Sequence, residues 1–159
     1  MMLGMKPHFL QLNLGWNAEP NAPNPQVEVL GNDVLLRFHV NPFQFGEFQH
    51  HEIGFLRFVN CVRFRLGRTN DEGWYRGQCR FSNIAPKWGE FYEIFGDDTS
   101  TNGPTDGCRV STKSTGDLHH FLFYFRDNTF ESVAERCVIE RRDDNAIEAK
   151  GKRLPRLGR

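Results

Sequence analysis

The chain has 159 residues, with 20 basic and 20 acidic side chains that cancel to a formal net charge of zero at pH 7. This length suits a single domain, and the charge balance excludes a protein that binds nucleic acid through bulk positive charge. No stretch approaches the ~20 apolar residues of a membrane-spanning helix, and the first residues lack the pattern of a secretory signal. We therefore expect a cytoplasmic protein that binds neither nucleic acid nor membrane.

Phenylalanine dominates the aromatic residues: there are 15 Phe but only 3 Tyr and 3 Trp, together with 15 Gly. Aromatic side chains favour β-strands, and glycine disfavours helices. Segments with a helical period are nearly absent, and no repeat of fixed length occurs. The predicted fold is therefore mainly β, an antiparallel β-barrel or β-sandwich of about seven to nine strands with little helix.

The first third of the chain predicts three strands. Residues 9–14 alternate apolar and polar side chains, and the proline-rich stretch WNAEPNAPNPQ (16–26) predicts a loop because its prolines exclude helix. Residues 26–30 and 33–41 then form a predicted hairpin around a Gly31-Asn32 turn. One face of the second hairpin strand carries its apolar side chains: Val34, Leu36, Phe38 and Val40.

Residues 53–67 form the longest apolar segment, and its β-branched and aromatic residues recur with a period of two, which predicts a strand. This period places one set of side chains on a common face: Gly54, Leu56, Phe58, Asn60, Val62, Phe64 and Leu66. Cys61 falls on the other face, but within the apolar run, and is predicted to be a small core residue.

Three arginines of the same strand, Arg57, Arg63 and Arg65, share the face opposite to Phe58. In a barrel this face predicts a cavity lined for an anionic ligand. The alternative is a solvent-exposed sheet face whose arginines prevent pairing with other chains. The sequence leaves both interpretations open and favours the second.

The next segments predict a strand over 90–95, a long loop over 97–117 with a short strand around 108–111, and a hairpin over 118–138. The Asp127-Asn128 pair in the hairpin suits a type I′ turn, in which both central residues have positive φ. This turn predicts the following partners across the hairpin: Phe125 and Phe130, Phe123 and Ser132, Phe121 and Ala134, Tyr124 and Glu131, Leu122 and Val133, His120 and Glu135.

Charge and composition divide the chain. Residues 81–140 contain five basic and ten acidic side chains, whereas residues 141–159 contain seven basic and three acidic ones and no aromatic residue. We therefore predict a single β domain over residues 1–140 and a basic, mobile C-terminal tail over residues 141–159.

The four cysteines, Cys61, Cys79, Cys108 and Cys137, lie far apart in the sequence. Zinc sites and the disulfide frameworks of secreted domains normally have closely spaced cysteines, so free thiols in a reducing compartment are predicted. No glycine-rich phosphate loop and no nucleophile motif occurs. We therefore expect no cofactor and no metal site, and the sequence favours a binding protein over an enzyme.

Asp71 and Glu72 are the first catalytic candidates. Together with neighbouring aromatic residues, two consecutive acids suit general acid–base chemistry on a sugar-like ligand. A turn rich in Asn, Asp and Gly explains the same residues without any function, and the sequence favours this explanation.

The pairs His50-His51 and His119-His120 suggest a metal site. Adjacent side chains on an extended strand point to opposite faces, however, so neither pair can chelate as a unit. His120 and Glu135 remain catalytic candidates as predicted cross-strand partners, although a structural or surface role is favoured.

Two segments resemble a group of small uncharacterised bacterial proteins. They are RFRLGRTNDEGWYRGQCRFS, with an R-x-G-x-x-N-D-E pattern over residues 65–72, and HHFLFYFRDNTFESVAE, which contains T-F-E-x-x-A and begins at His119. The group is similar to the immunity-type proteins that bacteria keep beside toxin genes. The resemblance covers about a third of the chain, implies an inhibitor role, and transfers no catalytic residue.

Two functional hypotheses follow. The first is a non-enzymatic protein-interaction module, in particular an immunity-type inhibitor, that uses the acidic 81–140 surface and the aromatic residues Trp74, Tyr75 and Trp88 as interface anchors. The second is a small β-barrel that binds or converts an anionic or sugar-like ligand. The oligomeric state does not follow from the sequence.

Overall fold

The computed structural model describes the chain as a mainly β protein. It covers residues 6–68, 75–76, 81, 87–96, 107–110 and 116–141, and for Cys108, Arg109 and Arg141 it describes the backbone alone. Asp71, Glu72 and Trp74 lie outside the described residues. So does the predicted tail, except for its first residue, Arg141, which still belongs to the last strand.

Eight strands are described, and every predicted strand boundary lies within three residues of the observed one. The strands are β1 (His8–Gln11), β2 (Gln26–Leu30), β3 (Asp33–His39), β4 (Ile53–Gly67), β5 (Phe91–Phe95), β6 (Cys108–Arg109), β7 (His119–Tyr124) and β8 (Thr129–Arg141).

Seven of these strands form one antiparallel sheet in the order β1-β5-β7-β8-β4-β3-β2, and β6 pairs with β4. The long strands β4 and β8 pair along most of their length and form the centre of the sheet. The sheet is not closed, because β1 and β2 end the order without pairing with each other among the described residues. The mainly β prediction is confirmed, with a sandwich or an open barrel as the architecture.

The inner face of the sheet encloses a core of phenylalanine rings. Phe58 on β4 contacts Phe91 on β5, with ring centroids 6.2 Å apart, although β7 and β8 separate the two strands in the sheet. Phe38 on β3 similarly meets Phe123 on β7 at 5.3 Å. Such contacts require the sheet to curl until its two halves face each other. Since burying one Phe side chain contributes about 1.5–3 kcal/mol, these rings are the main source of stability.

Trp16 packs between the two ends of the curled sheet. It is 1% exposed, stacks on Phe38 of β3 with centroids 5.6 Å apart and contacts Phe91 of β5 at 6.2 Å. Just after it, Ala18 forms a β-bridge with Val40, so the chain between β1 and β2 continues along the end of β3. The predicted proline-rich loop therefore joins the two ends of the open sheet.

The predicted alternation of β4 is wrong in the middle of the strand. Phe58, Cys61 and Phe64 are all buried in the inner core, so successive inward side chains are three positions apart in place of the two of a regular strand. Asn60 has a φ of 48°, and the register with β8 shifts between Cys61 and Arg63. A strand irregularity of this kind turns the side chains that follow to the other face.

The β2–β3 hairpin holds this irregularity in place. The carboxylate oxygen Oδ1 of Asp33 accepts a hydrogen bond from the backbone N–H of Asn60 at 3.0 Å. The backbone carbonyl of Asn32 accepts one from the backbone N–H of Cys61 at 2.8 Å. Because both partners come from another hairpin, the pattern within residues 53–67 carried no sign of the irregularity.

The predicted register of the β7–β8 hairpin is also wrong, by two residues. Phe123 pairs with Phe130, and Phe121 pairs with Ser132, whereas the prediction placed Phe125 opposite Phe130. The predicted faces are nevertheless correct, since these phenylalanines all belong to the inner core. A shift of two residues keeps every side chain on its face, so the alternation of apolar residues cannot distinguish the two registers.

The turn of this hairpin differs from the prediction in the same way. The Phe125 amide donates to the carbonyl of Asn128 at 2.8 Å, so Arg126 and Asp127 are the two central turn residues, and neither has positive φ. The predicted type I′ turn at Asp127-Asn128 does not form. Phe125 stacks on Phe123 at 4.1 Å and contacts Phe38 of β3 at 5.7 Å, which are contacts outside the turn that favour the observed register.

A second, smaller apolar layer covers the outer face of β1, β5 and β7. Its buried members are Phe81, Tyr92, Ile94, Leu122 and Tyr124, with Phe9 and Trp88 packed against them. Strands β5 and β7 are thus buried on both faces, as the apolar residues on both faces of the predicted hairpin indicated.

Candidate functional site

The three candidate arginines do not form one cluster. Arg57 donates to Glu140 through Nε at 2.9 Å and to Asp33 through Nη1 at 3.3 Å. Although burial alone would lower the pKa of Arg57, these two carboxylates raise it. Arg63 and Arg65 lie beyond the irregularity of β4, half-buried and exposed respectively. Arg57 therefore ties β4 to β8 and to the start of β3, which is a structural role.

His120 has a different partner from the predicted one. Its side chain is fully buried, and Nε2 forms a hydrogen bond with Oε2 of Glu131. Glu135 instead accepts a hydrogen bond from the Asn60 amide group at 3.2 Å. The two-residue register shift explains the correction, because it places Val133 opposite His120 and brings Glu131 within diagonal reach on the same face.

His119 points to the inner face and pairs with a second glutamate. Its Nδ1 lies 2.6 Å from Oε2 of Glu93 on β5, and its side chain is 39% exposed. Adjacent histidines on β7 therefore diverge, as predicted, and each meets a carboxylate of a neighbouring strand.

Glu90 forms a polar cluster that sequence reasoning missed. Its carboxylate accepts hydrogen bonds from the side-chain amides of Gln11 at 2.8 Å, Asn13 at 2.6 Å and Asn17 at 3.5 Å, and it lies 3.4 Å from the Lys87 ammonium. The side chain of Asn13 also donates a hydrogen bond to the backbone carbonyl of Trp16 and accepts one from the backbone N–H of Phe91. Three amides spread over residues 11–17 form no recognisable motif, and nothing in the sequence indicates that they meet a glutamate from residue 90.

The acidic block 81–140 keeps exposed acidic side chains at Asp117 and Asp127. Its described glutamates all have intramolecular partners: Glu90 meets amides and Lys87, Glu93 meets His119, Glu131 meets His120, Glu135 meets Asn60, and Glu140 meets Arg57. Among the described residues of the block, exposed acidic charge therefore comes from these two aspartates rather than from the glutamates.

Cys61 and Cys137 are free thiols that are unsuited to nucleophilic chemistry. Burial raises the pKa of Cys61 to about 12, and burial followed by the charge of Glu93 raises the pKa of Cys137 well above its ordinary value. A nucleophilic cysteine requires a lowered pKa, since the thiolate is the reactive form.

The predicted aromatic anchors occupy different environments. Tyr75 is 73% exposed. Trp88 is half-buried and stacks on Tyr124 with centroids 4.7 Å apart, so it belongs to the outer apolar layer. Tyr75 alone of the described anchors is presented to solvent, and Trp74 lies outside the described residues.

An exposed apolar pair lies at the β1 edge of the sheet, with Leu10 on β1 and Phe95 on the neighbouring strand β5. Leu10 is 52% exposed and pairs with Glu93, while Phe95 is 44% exposed and pairs with His8. Leu10 and Phe95 are thus diagonal neighbours on one face of the sheet, within reach of each other. We call these two side chains the β1 edge patch.

The two edges of the sheet differ in charge. β1 reads HFLQ and has no Asp, Glu, Lys or Arg, whereas β2 reads QVEVL and has Glu28, which is exposed, at its centre. Charged side chains on an edge strand discourage pairing with another chain. Among the described residues, β1 is therefore the edge better suited to accept a further strand.

Two negative observations apply to the described residues. No group of three or more His, Cys, Asp or Glu side chains is arranged around one point where a metal ion would fit. No helix there is long and apolar enough to cross a membrane.

No protein-family model, curated protein or solved structure matches this chain. The function is therefore argued from its own residues.

Proposed function

We propose that this protein is a non-enzymatic protein-interaction module that binds an extended segment of a partner protein along the edge of β1. The observation that carries the proposal is the edge of β1, which has no Asp, Glu, Lys or Arg, beside the exposed β1 edge patch. Extended peptides commonly bind by adding a strand to an exposed sheet edge, where main-chain hydrogen bonds provide affinity and side-chain contacts provide specificity.

The side chains of β1 support this mode of binding. Phe9 packs into the outer apolar layer, which anchors the strand, while Leu10 on the opposite face remains half in solvent. In an antiparallel pair with β5, every second residue of β1 directs its N–H and C=O away from the sheet. An added strand would satisfy these groups, and its apolar side chains would cover Leu10 and Phe95.

The environments of the candidate catalytic residues support a binding role over an enzymatic one. His120 is buried against Glu131, and Glu135 accepts a hydrogen bond from Asn60. The inner face is filled by stacked aromatic rings, which lowers support for a barrel that holds an anionic or sugar-like ligand.

An immunity-type inhibitor acts by binding its toxin and needs no catalysis. This role is therefore one form of the proposed protein-interaction function. The free thiols of Cys61 and Cys137 support a reducing compartment such as the bacterial cytoplasm.

The test uses a peptide selected from a phage-displayed library of short extended sequences against the full chain. Calorimetry then compares wild type with Leu10→Lys and with the matched control Val29→Lys on the other edge, where Val29 is 50% exposed. We expect Leu10→Lys to weaken binding about tenfold or more and Val29→Lys to leave it unchanged.

Amide chemical shifts locate the same contact independently of any variant. We expect the largest changes on peptide binding at residues 8–11. Equal affinity of wild type and Leu10→Lys, or shift changes confined to other strands, would overturn the proposal.

A further inference from the structure

Three histidines from two segments meet on the surface near the end of β3. His39 ends β3, and His50 and His51 lie in the connection that leads into β4. The ring centroids of His39 and His51 are 6.0 Å apart, and those of His50 and His51 are 6.5 Å apart. His50 and His51 are exposed, so metal ions in solvent can reach them.

The backbone holds His51 in an unusual conformation. Its φ is 64°, in the left-handed region that residues other than glycine rarely occupy. Such conformations are unfavourable and persist only where the surrounding structure imposes them. Here the conformation turns His51 out of line with its neighbours, and its ring lies beside that of His39.

His39 is oriented by a backbone carbonyl. Its Nδ1 lies 3.3 Å from the carbonyl oxygen of Ala22. Because a carbonyl only accepts hydrogen bonds, Nδ1 is the donor in this contact, and Nε2 is the ring nitrogen that remains for a metal ion. Histidines that bind metals usually donate their other ring N–H to such a carbonyl or carboxylate, which fixes the ring and raises its basicity.

We propose that His39 and His51 form a surface site for a divalent transition-metal ion, with Zn²⁺ as the ion to test. Zinc–imidazole bonds of about 2.0–2.1 Å in tetrahedral geometry place two ring centroids about 5 Å apart. The His39–His51 separation of 6.0 Å is close to this value, so modest side-chain rotations bring both rings onto one ion.

His50 is the third protein ligand after a larger rotation. Its ring now packs edge-to-face on Phe43 with centroids 5.3 Å apart, which holds it away from the other two. This position agrees with the absence of a ready-made group of three ligands among the described residues. Water completes the coordination, so the ion also has positions that a ligand from another molecule can occupy.

The site is independent of the β1 edge patch. It joins the end of β3 to the connection before β4, so a bound ion links two segments that otherwise meet through hydrogen bonds such as Val40 N to Glu52 O at 2.9 Å. Imidazole ligands suit zinc, copper and nickel better than magnesium or calcium, which prefer oxygen.

The experiment is a Zn²⁺ titration of the tag-free, chelator-treated full chain, followed by calorimetry and by imidazole proton–carbon correlation spectra. We expect one saturable site, with the His39 and His51 signals shifting and those of His8 and His119 unchanged. His39→Gln and His51→Asn each weaken binding about tenfold or more. His8→Asn, the replacement of an exposed histidine on β1, leaves the affinity unchanged.

Asn is chosen at position 51 because it tolerates positive φ, and circular dichroism checks that each variant folds. Mg²⁺ at the same concentrations should not compete. The proposal is wrong if wild type shows no saturable Zn²⁺ binding, if the spectral changes avoid His39 and His51, or if both variants bind like wild type.

Discussion

The two histidine pairs show how the backbone decides what the same dipeptide does. His119 and His120 lie on the regular strand β7, where successive side chains point to opposite faces, and each pairs with a glutamate. His50 and His51 lie in a loop where positive φ at His51 breaks that alternation, and the rings remain near each other at the surface. In the loop, the ring of His51 lies beside that of His39, the residue with which we propose that it binds a metal ion.

The histidines of the two pairs also differ in how far their side chains are buried. The side chain of His120 is fully buried and that of Glu131 is 8% exposed, so both groups have lost nearly all their hydration. His119 keeps 39% of its exposure beside Glu93. The energetic weight of a histidine in this protein should therefore decrease from His120 to His119 to His50.

The largest expected effect is at the buried pair. Glu131→Leu removes the carboxylate that satisfies His120 and leaves a buried imidazole without its partner. We expect a loss of about 3 kcal/mol in the free energy of unfolding, since removing one member of a buried hydrogen-bonded pair costs roughly 1–5 kcal/mol. Urea denaturation of wild type and variant measures the change.

The control for this prediction is the double variant His120→Leu/Glu131→Leu, which removes both polar groups together. Replacing a whole buried pair with apolar side chains is often close to neutral, so the double variant should be more stable than Glu131→Leu. The single variant His120→Leu completes the comparison. If the losses of stability in Glu131→Leu and His120→Leu add up to the loss in the double variant, the pair does not act as a unit.

A pH-dependent effect of intermediate size comes from the buried thiol of Cys61. Burial raises its pKa to about 12, against about 8.5 in the unfolded chain. A raised folded-state pKa contributes stability that is fully present below pH ~8.5 and lost as the pH rises through 12. We expect a loss on the order of 2 kcal/mol between pH 8 and pH 10.5, measured by urea denaturation.

The variant Cys61→Ala tests the origin of this loss. It lacks this ionisable group, so its stability should fall less over the same pH range, while Cys137 and Tyr92, whose pKa values burial also raises, still contribute. An identical pH dependence in wild type and Cys61→Ala would contradict the assignment.

The smallest expected effect is at the exposed end of the comparison. His119→Gln removes a partly exposed partner of Glu93 and should cost about 0–1 kcal/mol, because such pairs contribute little in water. His50→Asn, at an exposed loop position, should change stability by less than about 0.5 kcal/mol. A loss at His119 as large as that of Glu131→Leu would show that burial does not order the histidines.

Strand positions and faces were predictable because they depend on local sequence. The period of two placed Val34, Leu36 and Phe38 on the inner face of β3, where the structure has them. The turn at Gly31-Asn32 was also predicted correctly, because glycine tolerates the positive φ of 63° that Gly31 has there. The bounds of β2 and β4 were predicted correctly as well.

Register and partner choice were not predictable in the same way. The β7–β8 hairpin satisfies the same burial pattern in two registers, and the contact of Phe125 with Phe38 of a distant strand favours the observed one. The amides that surround Glu90 and the carbonyl that orients His39 are likewise distant in sequence. Neither candidate surface, the β1 edge patch or the three histidines, was predicted.

The sequence by itself determined a mainly β fold, a phenylalanine core and the direction of most side chains, because propensity and alternation act over a few neighbouring residues. Contacts between strands determine which carboxylate meets which histidine and where β4 changes face at Asn60. The strand order determines that β1, which has no Asp, Glu, Lys or Arg, lies at an exposed edge of the sheet. These features depend on hydrogen bonds and ring contacts between strands that lie far apart in the chain. A pattern within one strand contains no information about them.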